Sequence, residues 1–315
     1  MSALGHLTRL FGSDDFAILA DDNRFLNFAA SQGLAVQNLN TVDHLPENSV
    51  ILAFSEEAGQ KVSQLASKQN GIRVVFCASH VFDHSLSAAI YTLRLIMQSD
   101  FVGAIDRQQE VMQMLNAAET ITFEGKGSNG VVHLEPSEPP NGLKSACFKD
   151  AFVLSVAEFF EVHYSHVNPE HPLPFQLSGT LSVDGILAAM RPDGSTPYED
   201  APQDVKRLIQ EVALAQSATL DVEKSRIRSF KVNGTERGDL LTALAGARGV
   251  QLTEFAVAVN SNIVHAVDYT INSQLNEGVE GIHVAIGDGS AGYHVDFLCA
   301  GVAVRPNIHQ AAQTA

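Results

Sequence analysis

Positive charge is scarce in this chain. Its 315 residues hold 20 Lys and Arg against 36 Asp and Glu, a formal charge of −16. Nucleic-acid phosphates and anionic membrane surfaces both call for a basic face, so this balance argues against either partner. Long apolar runs are lacking as well: none reaches the roughly eighteen residues that a bilayer-spanning helix requires. The opening stretch MSALGHLTRLFGSDD has no apolar centre of secretory-signal length. Cysteine is rare and scattered. Cys77, Cys147 and Cys299 are far apart, odd in number and in no CxxC pair. Cys77 and Cys299 sit in strand-like runs and read as small core residues. A reducing, cytoplasmic location is the default expectation.

Apolar residues make up 45% of the chain. That is enough to bury sizeable cores, and the length suits two ordinary domains. Residues 1–118 alternate strand and helix signals. FAILA (16–20), SVILAF (49–54) and IRVVFC (72–77) read as strands, whereas 23–32, 56–68 and LSAAIYTLRLIM (86–97) read as helices. This grammar predicts an α/β N-terminal domain with a mostly parallel sheet. From residue 119 strands dominate: TITFE (120–124), GVVHL (130–134) and 151–156, with helices near 203–216 and 238–247. An α+β metal-binding domain is expected over 119–315, with a frayed tail from about 306.

The residues that carry chemistry gather near the end. IHVAIGDGSAGYHVDFL (282–298) places His283, His294 and Asp296 on apolar runs flanking a glycine-rich hinge. Residues two apart on a strand share a face, so His294 and Asp296 project together. A hairpin would bring His283 to the same edge. An isolated His-x-Asp pair is more often a core hydrogen bond or a surface ion pair. A second histidine and a buried acid move the reading to a metal site, for which imidazole and carboxylate suit zinc, manganese, iron or cobalt. The acid is Glu254 in QLTEFAVAV, where Leu252, Glu254, Ala256 and Ala258 are expected to share one face. A lone charge in such a run needs a partner or a cation. Glu277 and Glu280, six and three residues before His283, are candidates for a ligand or a general base.

Other motifs carry less. GDGSAG (287–292) spells GxGxxG, but the dinucleotide fingerprint needs a following helix, and YHVDFLCAGVAV reads as strand. In EVHYSHVNPEH (161–171), His163 and His166 read as substrate contacts or exposed loop residues, and Tyr293 is grouped with them. His133 and His265 read as structural strand histidines, and KSRIRSFK (224–231) as a strand with a solvated face.

These motifs carry a resemblance. LTEFAVAVN (252–260), EGVEGIHVAIGDG (277–289) and YHVDFL (293–298) resemble the metallopeptidase family of thermophilic aminopeptidases, the aminopeptidase T or leucyl aminopeptidase type. ITFEG (121–125) and LSGTLSVDG (177–185) extend the likeness loosely upstream. The resemblance implies a metal-dependent hydrolase that cleaves a peptide or amide bond and forms a homodimer. One or two divalent ions (zinc, cobalt or manganese) would be held by Glu254, Glu277, His283, His294 and Asp296, with Glu277 or Glu280 as the base. A further upstream glutamate is implied, for which Glu158 and Glu161 in VAEFFEVHYS are the candidates. Two features depart from the family: Gly289-Ser290 stand where it has a tyrosine, and the segment from His283 to His294 is shorter. Two rival functions stay open. One is a mononuclear iron(II) ring-opening dioxygenase of the dihydroxypyridine type, with His283, His294 and Asp296 as its facial triad. The other is a catalytically retired protein that binds a peptide in a biosynthetic pathway. The expected partner is a peptide or small-molecule substrate.

Overall fold

The computed structural model describes residues 5–144, 151–166, 168–190 and 195–307. Cys147 and the tail from 308 onward lie outside these residues. Among the described residues the fold is mixed α/β, with one parallel and two antiparallel sheets.

The parallel sheet is built from β1 (Ala17–Ala20), β2 (Val36–Asn38), β3 (Asn48–Leu52), β4 (Arg73–Cys77) and β7 (Phe152–Ser155), in the order β2-β1-β3-β4-β7. β1 and β3 are buried along their whole length, as strands covered on both faces must be. Helices α2 (Asn23–Ser31), α3 (Glu56–Ala66) and α4 (Leu86–Gln98) supply the crossovers. Each starts at a polar cap: Asp22 accepts from the Arg24 and Phe25 N–H groups, Ser55 from Ala58 and Ser85 from Ala88. Two helices were not read from the sequence, α1 (Gly5–Phe11) and α5 (Phe101–Asn116).

β7 lies beyond residue 118 yet pairs with β4, so the parallel sheet is not confined to the first 118 residues. One apolar cluster also runs across that point, from Leu7 through Phe101 and Phe159 to Val302. No helix among the described residues is long and apolar enough to cross a membrane.

The larger antiparallel sheet joins β5 (Thr120–Gly125), β6 (Ser128–Leu134), β9 (Phe175–Ser182), β11 (Ala218–Glu223), β12 (Arg226–Val232), β13 (Thr235–Glu236) and β17 (Ala303–Pro306). The smaller joins β8 (Glu161–Ser165), β10 (Gly185–Ala189), β14 (Leu252–Ala258), β15 (Gly281–Ile286) and β16 (His294–Ala300), in the order β10-β16-β15-β14-β8. The two pack through aromatic residues: Phe255 meets Phe175 with ring centroids 6.0 Å apart, and Phe297 meets Phe230 at 5.2 Å. Helices α6 (Ala201–Ala213) and α7 (Gly238–Leu244) match the two expected in this half.

Both edges of the smaller sheet are closed locally. At β10, the Asn272 side chain accepts from the Ala188 N–H (2.9 Å) and donates to the Ala188 carbonyl (2.7 Å). At β8, the backbones of Asn141 and His163 exchange hydrogen bonds of 2.8 and 2.9 Å. His265, expected on a strand, is exposed in a turn instead.

Candidate metal centre

Side chains alternate between the two faces of the smaller sheet, and that alternation builds the site. On one face stand Glu161 and His163 of β8, Glu254 and Ala256 of β14, His283 and Ala285 of β15, and His294 and Asp296 of β16. The cross-strand registers fix this: Ala256 pairs with both His163 and His283, and Ala285 with both Glu254 and Asp296. The expected hairpin between His283 and His294 is present. It turns at Gly287, whose φ of 72° suits glycine and where an added Cβ would collide with the Tyr293 carbonyl. The strand after GDGSAG is β16, so the glycines form a turn and not a dinucleotide loop.

One face assignment needs correction. Leu252 pairs with Ile286, and Glu254 with Ala285, so Thr253 is the extra residue of a β-bulge. The bulge sends Leu252 to the apolar face and leaves Glu254 facing the histidines. It also aims the Thr253 hydroxyl at the Gly287 carbonyl, to which it donates at 2.6 Å. His294 Nδ1 lies 3.2 Å from that same oxygen. A carbonyl only accepts, so Nδ1 carries the proton and Nε2 is left for the cluster.

The donor atoms form a chain of alternating imidazoles and carboxylates. His163 Nδ1 is 3.3 Å from Glu161 Oε1, and Glu161 Oε2 is 3.3 Å from His283 Nε2. His283 Nε2 is in turn 3.5 Å from Glu254 Oε1. His294 Nε2 lies 3.8 Å from Glu254 Oε2 and 3.2 Å from Asp296 Oδ1. Glu161, His283 and Asp296 are buried, and His283 and Asp296 are each 1% exposed. Several of the facing atoms nevertheless make no hydrogen bond of acceptable geometry: Glu161 Oε2, His163 Nδ1, both nitrogens of His283, and Asp296 Oδ2. Buried charged atoms left in that state are costly unless something else satisfies them. Among the described residues, two groups of three each bring their donor atoms close enough to hold a cation, Glu254–His283–Asp296 and Glu161–His163–Glu254. Mixed imidazole and carboxylate donors suit a divalent ion of zinc, manganese or cobalt type, so the residues present fit such a group.

Electrostatics follow the same pattern. Burial opposes the charged form of Glu254, but His283, His294 and His163 together hold its carboxyl down at about 2. Burial also opposes charge on the imidazoles, and the carboxylates override it. Glu161 pushes His163 up to about 9, and Asp296 with Glu254 pushes His294 up to about 10. His283 is raised as well, by Glu254, Glu161 and Asp296. Glu277 moves the other way from Glu254. Burial, reinforced by repulsion from Glu161, Asp296 and Glu254, lifts its carboxyl well above the usual carboxylate range.

Glu277 is held beside the cluster by a braced loop. The turn Gln274–Asn276 precedes it. Gln274 donates to the Ser155 hydroxyl at 2.8 Å, and Tyr91 donates to the Asn276 side chain at 2.7 Å. Ser155 ends β7, a strand of the parallel sheet.

The other expected residues stand elsewhere. Glu280 is exposed and lines a separate groove with Arg107 and Glu110. His166 is buried, with Nε2 2.8 Å from the His171 carbonyl and Nδ1 3.0 Å from the Arg248 guanidinium, so both ring nitrogens are engaged outside the cluster. Glu158 accepts from the Ser155 N–H at 3.2 Å, which leaves Glu161 as the upstream glutamate at the cluster. Tyr293 borders a cleft of about 500 Å³, also lined by His80, His84, Met190, Lys206 and Ile209. His163 was read as a loop or substrate residue, but it stands among the donors. Its signal was the spacing Glu161-x-His163, the same two-residue step as His294-x-Asp296.

Comparison with known proteins places this arrangement. Residues 13–307 match the family described as crocagin biosynthetic protein CgnE/B. The chain belongs to that family. Among solved structures, wild-type AmpT from Thermus thermophilus superposes with a TM-score of 0.51 at 14% identity, covering 96% of this chain and 93% of that one. A 2,5-dihydroxypyridine dioxygenase from Pseudomonas putida KT2440 gives 0.47 at 12% identity, over 96% and 92%. No curated protein sequence matches. The likeness to AmpT is one of fold. The family whose model matches is described as a biosynthetic one, not as an aminopeptidase family.

Proposed function

We propose that this chain is a metal-binding CgnE/B family protein that acts on a peptide or amide substrate by hydrolysis. One observation carries the reading: buried imidazole and carboxylate atoms from β8, β14, β15 and β16 face one another across 3.3–3.8 Å, and several of them lack any hydrogen-bond partner. Glu254, His283 and Asp296 would hold the ion, with Glu161 and His294 beside them. A divalent ion there supplies a polarised substrate carbonyl and a more acidic water. Thr253 and the Gly287 carbonyl keep His294 turned with Nε2 inward. Glu277, whose carboxyl is raised well above the usual carboxylate range by burial and by its carboxylate neighbours, would supply a proton to an amine leaving group. The cleft beside Tyr293 provides room for substrate next to the strand that carries His294.

The dioxygenase reading fits less well. A facial triad has one carboxylate, whereas here Glu161 and Glu254 both crowd the same imidazole as the triad candidates. A second reading, peptide binding without turnover, is favoured by the short 287–293 connection and by Gly289-Ser290 in place of the tyrosine implied by the peptidase resemblance.

The test is a peptide panel incubated with zinc-, cobalt- or manganese-loaded protein, followed by mass spectrometry. Cleavage that stops on chelation and in Glu277→Gln supports hydrolysis. Tight, metal-dependent peptide binding with every peptide intact supports the second reading. Protein that takes up none of the three metals overturns both the metal centre and the hydrolysis built on it.

A further inference from the structure

The turn that orients His294 is itself held by an arginine. Arg248 closes a short helical turn, Gly246–Arg248, just before β14, and its side chain is 11% exposed. One terminal nitrogen lies 2.7 Å from the His166 carbonyl and 3.0 Å from His166 Nδ1. The other forms an ion pair of 3.6 Å with Asp288 Oδ2. His166 directly follows β8, and Asp288 lies in the connection between β15 and β16. β14 runs between β8 and β15, so the guanidinium spans its end. We infer that Arg248 is a positioning residue for the metal centre: it fixes the 287–293 turn, and with it His294, relative to the strand that carries Glu161. This rests on the metal-binding reading above.

Each contact has a defined direction. The His171 carbonyl faces His166 Nε2 at 2.8 Å, so that nitrogen carries the proton and Nδ1 accepts from Arg248. Asp288 divides its oxygens between two tasks. Oδ1 shapes the turn by accepting from the Ser290 N–H at 3.0 Å and the Ser290 hydroxyl at 2.5 Å, and Oδ2 faces the guanidinium. The turn also rests on the backbone that leads to Arg248. The Tyr293 N–H donates to the Leu244 carbonyl at 2.9 Å, and an added Cβ at Gly246 would strike the Ala291 carbonyl. Gly287, whose carbonyl accepts from His294 Nδ1, begins this same turn. A displaced turn therefore rotates the imidazole whose Nε2 faces Glu254 and Asp296. A guanidinium reaches both partners because its nitrogens point apart in a rigid fork, which a lysine ammonium lacks.

The experiment is a cobalt titration of the full chain, purified without a metal-affinity tag, in wild type, Arg248→Ala and Asp288→Asn. The amide of Asp288→Asn keeps an oxygen for the Ser290 contacts and removes the charge that faces Arg248. Thermal melting confirms that each variant is folded at the temperature of the titration. Arg248→Ala is expected to raise the cobalt dissociation constant roughly tenfold or more, as for outer partners of other metal-binding histidines, and to shift the visible cobalt bands. Millimolar guanidinium should restore part of the affinity of Arg248→Ala, and Asp288→Asn should fall between that variant and wild type. A second readout needs no metal: amide hydrogen exchange at 288–293 should quicken in both variants while β14, β15 and β16 stay protected. Unchanged affinity and exchange in both variants overturn the positioning role. Weaker binding without rescue, together with faster exchange across the whole sheet, also overturns it, because Arg248 would then support the fold alone. Wild type that takes up no cobalt overturns the metal centre instead, and exchange at the turn still decides whether Arg248 holds it.

Discussion

The two faces of the smaller antiparallel sheet share every strand and every backbone hydrogen bond, yet they are chemically opposed. One face carries Glu161, His163, Glu254, His283, His294 and Asp296. The other carries Val162, Tyr164, Phe255, Val284, Val295 and Phe297, all buried. The period of two permits this, because each strand spends alternate residues on each task. The apolar face holds the sheet against its larger neighbour. The polar face is left to other work, and it tolerates buried atoms with no hydrogen-bond partner. The division of labour predicts that damage to one face leaves the other's property intact.

The largest effect should come from the apolar face. Phe255→Ala or Phe297→Ala removes a ring packed between the sheets and should cost about 3–5 kcal/mol of unfolding free energy. Urea titration measures this, and metal uptake per folded molecule should be unchanged. Coupled loss of metal in folded protein would break the comparison. On the polar face the expected effect is conditional on metal. A hundredfold excess of zinc over its dissociation constant should stabilise wild type by about 2.7 kcal/mol. His283→Ala should abolish that gain, which is read as the zinc-dependent shift in melting temperature. An equal zinc shift in the variant would remove His283 from the site.

A pH series sharpens the same contrast. The folded-state values of His163 and His294 are raised, to about 9 and about 10, above the ordinary 6.5. Each therefore stabilises metal-free protein fully below 6.5, and the contribution is lost as pH rises through 9 to 10. The melting temperature of metal-free protein should fall across that window. Metal loading should flatten the fall, because a ligating imidazole must already be neutral, and binding near pH 7 should release protons measurable by calorimetry in buffers of different ionisation enthalpy. A flat profile in metal-free protein would contradict the imidazole–carboxylate pairing. The smallest effect is expected from Thr253→Val. It removes one hydrogen bond to the Gly287 carbonyl, about 1 kcal/mol of stability, and loosens the orientation of His294. Metal affinity should drop roughly tenfold or more, as for other outer partners of metal-binding histidines.

Much of this was legible in the amino-acid order. His294-x-Asp296 and the glycine turn before it specify a hairpin whose strand period is visible locally. The strand–helix alternation of the first hundred residues, with serine and aspartate caps, likewise needs only short-range physics. Three things were hidden, each for a different reason. The bulge at Thr253 depends on a two-against-one register with β15 that no local pattern shows, so Leu252 was placed on the wrong face. Glu161-x-His163 becomes meaningful only when β8 lies beside β14, some 90 residues on, a pairing set by tertiary packing. α5 has helical spacing from Phe101 to Leu115, but a buried glutamine interrupts its apolar stripe. Gln108 donates to the Glu158 carbonyl and accepts from the Leu143 N–H, so a polar residue is satisfied where the pattern calls for an apolar one.

The clamp of Asn272 on Ala188 reaches beyond its own two hydrogen bonds. An unpaired strand margin is a template onto which another chain can crystallise, and a side-chain amide that occupies both backbone groups acts as a false neighbour at that point. The reciprocal bonds of Asn141 do the same at the far margin. The sheet that bears the donor atoms is thus sealed like a hemmed cloth. Any second chain would have to unpick Asn272 or Asn141 before adding a strand at these points, and recruitment without such a cost must use the clefts and outer faces of the molecule.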